Sequence, residues 1–184
     1  MYDDVPLRGR LLVATPPLVD PNFDRTVVLV LEHGEEGAIG VVLNRPSDVE
    51  LADTLPIWKP HAAAPTVVFV GGPVQPDALI ALARGGQSSR GWVSILEELG
   101  TIDLGELPSH GLPAPDIVRV FVGYAGWSPG QLESELDAGA WFVVDADPAD
   151  PFVPEPDRLW RDVLQRQRGR VRIFALCPED PSVN

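Results

Sequence analysis

The apolar positions of this chain fall in short blocks separated by proline- and glycine-rich stretches. The two most continuous blocks are 26–32 (TVVLVLE) and 38–44 (AIGVVLN). β-Branched residues dominate both, and neither block alternates strictly between apolar and polar positions. That pattern predicts strands covered on both faces. Residues 33–37 join them, a five-residue connection that suits a hairpin loop. Gly40 inside the second block predicts a bulge or a close backbone approach. Arg45-Pro46 closes the block, because proline has no N–H to give to a ladder.

Further strands are predicted at 11–14, 66–70, 117–124 and 140–145, and a short helix at 49–55 ahead of Pro56. Residues 77–84 (DALIALAR) fit helix and strand periodicity alike. Helices are expected at 129–138 and 157–168. In the second, Leu159, Trp160, Val163 and Leu164 form an apolar stripe opposite Arg158, Arg161 and Arg168. Five or more strands with a few helices, and no regular βαβ alternation, predict an α+β fold. At 184 residues one domain is expected, and the 45% hydrophobic fraction supplies its core.

Composition then narrows the setting. The acidic start, residues 1–6, lacks the basic-then-apolar order of a signal peptide. No apolar run approaches the ~20 residues that span a bilayer. Cys177 is the single cysteine, which leaves no internal disulfide and no thiolate metal cluster. A soluble, cytoplasmic protein with no membrane partner is the expectation. The formal charge of −13 is unevenly spread: residues 158–172 hold six arginines and one acid, Asp162, whereas residues 1–157 carry a net −16. An acidic body repels polyanions, so direct nucleic-acid binding is not expected. The arginines read as a helix face docked on that body, and residues 166–184 as a basic-then-acidic tail on the same domain.

Several motifs invite a chemical reading. The block 126–132 (GWSPGQL) resembles an anion-cradling loop ahead of a helix. It also fits a helix start in full. Ser128 serves as N-cap, Pro129 as first helical residue and Gln131 as the far side of a capping box, with Trp127 and Leu132 as a hydrophobic staple. Gly71-Gly72-Pro73 follows a strand, but it lacks phosphate-loop spacing and suits a turn with a positive φ. His33, His61 and His110 show no metal spacing. His33, beside Glu32 and Glu35, is a candidate general base with no visible nucleophile. Cys177 has no adjacent helper, and Ser128 sits in no nucleophile elbow. No metal and no cofactor is implied.

The stretch Phe23-Asp24-Arg25-Thr26 through His33 and Gly40 to Asn44-Arg45-Pro46 resembles the AlgH/YqgE family of bacterial proteins. So do Gly71-Gly72-Pro73-Val74, the run from Gly123 to Trp127 through Gly130-Gln131-Leu132 to Glu135, and Trp141. The likeness covers most of residues 8–165, and the domain is placed at 1–165. It implies a mixed, largely antiparallel sheet with a few packed helices, and it makes 78–84 a strand. The family has no established activity; its label of transcriptional regulator is opposed here by the charge.

If a discrete site exists, hairpin pairing places it at the open end of the two long strands, around Arg25, Thr26, Asn44 and Arg45 with Gly71 and Gly72 nearby. Paired arginines there suit a carboxylate or phosphate. Asp20, Asp24 and Asp48 are the alternative, internal counter-charges. The leading functional expectation is a non-enzymatic domain that binds a protein or small anionic ligand, with a regulatory role. The alternative is a hydrolase-like enzyme whose site is not legible.

Overall fold

Ten strands pair into one curled sheet in the computed structural model, which describes residues 6–18, 20–87, 91–105 and 114–178. In chain order the strands are β1 (Arg10–Ala14), β2 (Val27–Gly34), β3 (Gly37–Val42), β4 (Pro46–Glu50) and β5 (Val67–Val70). They continue as β6 (Val74–Arg84), β7 (Val93–Leu96), β8 (Leu99–Ile102), β9 (Ile117–Trp127) and β10 (Trp141–Asp145). The path runs β10-β1-β2-β3-β9-β6-β8-β7, with β5 on β9 and β4 on β5. Every pairing is antiparallel except β5 with β9. The fold is therefore α+β, one domain around a mixed, largely antiparallel half-barrel.

β2 explains the unbroken hydrophobicity of its block. Val27, Leu29 and Leu31 face one core with Leu11, Phe69 and Phe121, while Val28 and Val30 face another with Leu12, Val42 and Trp127. The helices are α1 (Leu51–Thr54), α2 (Gln131–Asp137), α3 (Leu159–Gln165) and α4 (Arg170–Ile173). α3 covers the first core with Leu159, Trp160, Val163 and Leu164, all buried, and α2 covers the second with Leu132 and Leu136. A third core under α1 holds Leu51, Trp58 and Val118. The chain after α3 is docked: Val171, Phe174 and Cys177 pack on the first core.

Several expectations need correction. The hairpin loop is two residues, Glu35 and Glu36, because His33 and Gly34 remain paired with Ala38 and Gly37. Gly40 marks a close approach, since a Cβ there would lie 2.8 Å from the Leu29 carbonyl oxygen, and the bulge sits across the ladder between Val30 and Glu32. The strand predicted at 117–124 runs on through residues 125–127, so Gly126 and Trp127 are not loop but the end of β9. β4, β7 and β8 are short strands of four or five residues that the hydrophobic pattern did not mark; β4 and β7 are largely exposed and β8 is largely buried.

Candidate functional site: an arginine-lined cleft

The open end of the β2–β3 hairpin is tied shut by two polar side chains. Thr26 is wholly buried and its hydroxyl donates to the Phe23 carbonyl at 2.8 Å. The Asn44 amide donates to the Arg25 carbonyl at 2.9 Å, and its oxygen accepts the Val27 N–H at 3.0 Å. This clamp holds Arg25 in a left-handed conformation, φ 51°, which a non-glycine residue adopts only when its surroundings enforce it.

The Arg25 guanidinium lies 4.6 Å over the Trp160 ring and donates to the Cys177 and Pro178 carbonyls. Trp160 is itself anchored, its indole N–H donating to the Ala14 carbonyl at 2.9 Å. Arg45 reaches back to the Asp24 carbonyl. Arg158, Trp160 and Arg161, from α3 and the turn before it, complete a cleft of about 320 Å³ whose remaining walls are Asn44 and Asp157.

Among the described residues the cleft lining thus holds four arginines, Arg25, Arg45, Arg158 and Arg161, and one acid, Asp157. Arg158 is partly neutralised by Glu155 at 3.0 Å and Asp162 at 3.8 Å, and these partners push its pKa up, the Glu155 hydrogen bond most. Arg25 and Arg45 differ. The internal neutralisation expected from Asp20, Asp24 and Asp48 is not what the structure holds: among the described residues neither arginine has a carboxylate within ion-pairing distance, and Asp24 contributes only its backbone oxygen. Carbonyls orient a guanidinium without cancelling its charge, so the pair keeps forks suited to bidentate capture of a carboxylate or phosphate.

The other expected members lie elsewhere. Gly71 and Gly72 do not line the cleft. They sit where β3 and β5 part along β9: the Gly71 N–H donates to Val122, its carbonyl accepts from Val42, and a Cβ would fall 2.3 Å from the Gly123 carbonyl oxygen. Their role is close backbone packing at that fork.

Ser128 is not an N-cap. Gly130, at φ 73°, holds that position, and α2 begins only at Gln131. Half of the expected box survives, as Gln131 Oε1 accepts the Ser128 N–H at 3.0 Å. Trp127 is buried against Phe23 and Trp141, and both indole N–H groups donate to one oxygen of Glu135, at 2.9 and 2.8 Å. Leu132 is buried beneath them.

His33 Nε2 is hydrogen-bonded to Glu133 Oε1 at 2.7 Å, tying β2 to α2. That contact lowers the Glu133 pKa, second to a hydrogen bond from its own backbone N–H. His61 stands edge-on to Trp58, and His110 falls outside the described residues. Among the described residues no three of the His, Cys, Asp and Glu side chains gather closely enough to hold a metal ion.

Sequence reasoning missed Arg119, buried in β9 between Val118 and Val120. It lies 4.2 Å over the Phe69 ring and donates to the Val153 and Ala64 carbonyls, and burial lowers its pKa to about 10. A charged residue inside an apolar strand run was the available signal. Arg166 is a second such anchor. Its fork meets both oxygens of buried Asp150 at 2.6 Å, which raises the arginine's pKa.

Comparison with known proteins places this geometry. A family model described as AlgH-like matches residues 11–172. The chain is 52% identical to the UPF0301 protein SCO2948 of Streptomyces coelicolor, over 97% of this chain and 95% of that one. It is 40% identical to a UPF0301 protein of Mycobacterium leprae, over 96% and 90%. Two solved structures share the fold. Protein DIP2367 from Corynebacterium diphtheriae superposes with a TM-score of 0.87 at 31% identity, covering 96% of this chain and 95% of that one. The solution structure of the AlgH protein from Pseudomonas aeruginosa gives 0.68 at 32%, covering 98% of each.

Proposed function

The chain belongs to the AlgH-like family of bacterial proteins, and from that premise we propose that it is a non-enzymatic cytoplasmic domain that binds an anionic group in its arginine-lined cleft. One observation supports the reading: Arg25 and Arg45 meet in one cleft, and among the described residues their hydrogen-bond partners are backbone carbonyls and not carboxylates. In a chain of net −13, two neighbouring guanidiniums held by carbonyls concentrate positive potential at one place, and that draws an anion to the cleft.

The anion is a carboxylate or phosphate, free or carried by a protein. The guanidinium fork fits both shapes, and about 320 Å³ accommodates a group of that size with its immediate attachment. A regulatory role follows if occupancy reports the concentration of that anion. The placement of the groups supports binding over turnover. His33, the one expected base, is bonded to Glu133 at the other end of the hairpin.

Calorimetric titration of the full chain with citrate and with pyrophosphate tests this. Saturable binding with both probes recovered intact is the expected result. No heat from either probe, or conversion of either one, contradicts the proposal.

A further inference from the structure

At the turn end of the β2–β3 hairpin, opposite the arginine cleft, lies an open cleft of about 480 Å³. Its floor follows from strand register. Glu32 pairs with Ile39, Ile39 with Gly126, and Val74 with Tyr124. Directly paired residues share a face, as do positions two apart on one strand. Glu32, Ile39, Gly126, Tyr124 and Val74 therefore form one surface, and Gly126 is the gap in it.

Nothing in the backbone requires that glycine. Its φ is not positive, and a Cβ would meet nothing nearer than the Tyr124 ring at 3.5 Å and Val74 at 3.6 Å, ordinary contact distances. Gly37 beside it is different, at φ 112° and pressed on the Trp127 carbonyl. What Gly126 supplies is space over a strand, walled by an aromatic ring and two aliphatic side chains. The carboxylates of Glu32 and Glu36 border that space, and both residues are exposed.

We propose that this cleft binds a lysine side chain of a protein partner. The four-carbon stem lies along Ile39, Val74 and the Tyr124 face, and the ammonium reaches Glu32 and Glu36. An apolar strip with acids at one end matches a chain charged at one end. A polyamine, charged along its length, matches it less well.

Amide NMR shifts of the full chain test this, at about 150 mM salt to screen diffuse attraction. The probe is a capped Gly-Lys-Gly peptide, with its norleucine isostere as control. Saturable shifts should cluster at Glu32, Gly37, Ile39, Tyr124 and Gly126, with no counterpart for norleucine. Glu32→Gln with Glu36→Gln should weaken binding about fivefold. Glu50→Gln with Asp53→Asn, the same charge removed away from the cleft, should leave it unchanged. Gly126→Val should abolish it; if that variant does not fold, the carboxylate pair decides alone.

Absence of saturable shifts, equal binding of the norleucine peptide, or equal loss in the control pair overturns the proposal. So does spermidine producing the same localised shifts at lower concentration than the lysine peptide, which assigns the cleft to a polyamine.

Discussion

Replacing Asn44 by alanine would strand two backbone groups, the Val27 N–H and the Arg25 carbonyl, at a buried position. Each unsatisfied group costs about 1–3 kcal/mol, so Asn44→Ala should lose about 2–4 kcal/mol in a urea melt. Loss below about 0.5 kcal/mol, the range of a neutral surface change, would show that the clamp does not hold the hairpin end. Trp127→Ala should cost ~3–5 kcal/mol, since it opens a cavity beside Phe23 and Trp141 and removes one donor from Glu135. Ser128→Ala should stay within about 0.5 kcal/mol, because Gly130 and not Ser128 is the N-cap. Melts of the two variants side by side check the contrast; a fully stable Trp127→Ala contradicts it. These residues also show what a sequence conceals. Thr26, Asn44 and Arg45 are adjacent polar groups at one strand end, and their types do not reveal which face inward. The buried Thr26 hydroxyl and Asn44 amide proved to be internal fastenings, while Arg45 alone kept its charge toward the cleft.

At the scale of elements, the His33–Glu133 contact is a polar link between β2 and α2. The Glu133 pKa is depressed from its ordinary 4.5, first by its own backbone N–H and then by His33. A depressed carboxylate stabilises the fold above its unfolded pKa, and that contribution is lost as pH falls through the folded value. Wild-type stability should therefore decline as pH drops below about 4.5, and Glu133→Gln should flatten that limb while leaving higher pH unchanged in slope. Thermal melts from pH 3 to 7 (about the range in which carboxylates titrate) measure it; identical acid limbs refute the assignment. β2, β3 and α3 were readable because each carries its full hydrophobic signature within one segment, whereas the β6 segment fits helix and strand periodicity alike. β4, β7 and β8 were not, since each is only four or five residues long and holds its place by pairing with a neighbouring strand. The end of β9, residues 125–127, misled for a related reason: the strand is carried on by its pairing with β3, which is a tertiary demand.

For the whole molecule the charge distribution dominates. A net −16 over residues 1–157 opposes the phosphate neutralisation that supplies most non-specific DNA affinity. Two of the six arginines of 158–172 are committed within the protein. Arg158 is paired with Glu155 and Asp162, and Arg166 with Asp150. Gel-shift titration with duplex DNA at about 150 mM salt should show no sequence-dependent complex; a tight, specific one would reverse the charge argument. The hairpin instead separates two clefts of opposite character, arginine-lined at its open end and carboxylate-bordered at its turn. The arginine cleft is the one on which the proposed function rests, and Arg45 is its cleanest probe. Arg25 also braces Trp160 and the chain end, so its loss confounds binding with stability. Arg45 makes one side-chain hydrogen bond, to the Asp24 carbonyl. The decisive measurement pairs a melt of Arg45→Ala with pyrophosphate and citrate titrations of the same variant. Stability within about 1 kcal/mol of wild type, together with anion affinity weakened about tenfold or more, is the predicted result. Wild-type anion affinity in a folded Arg45→Ala protein would contradict it.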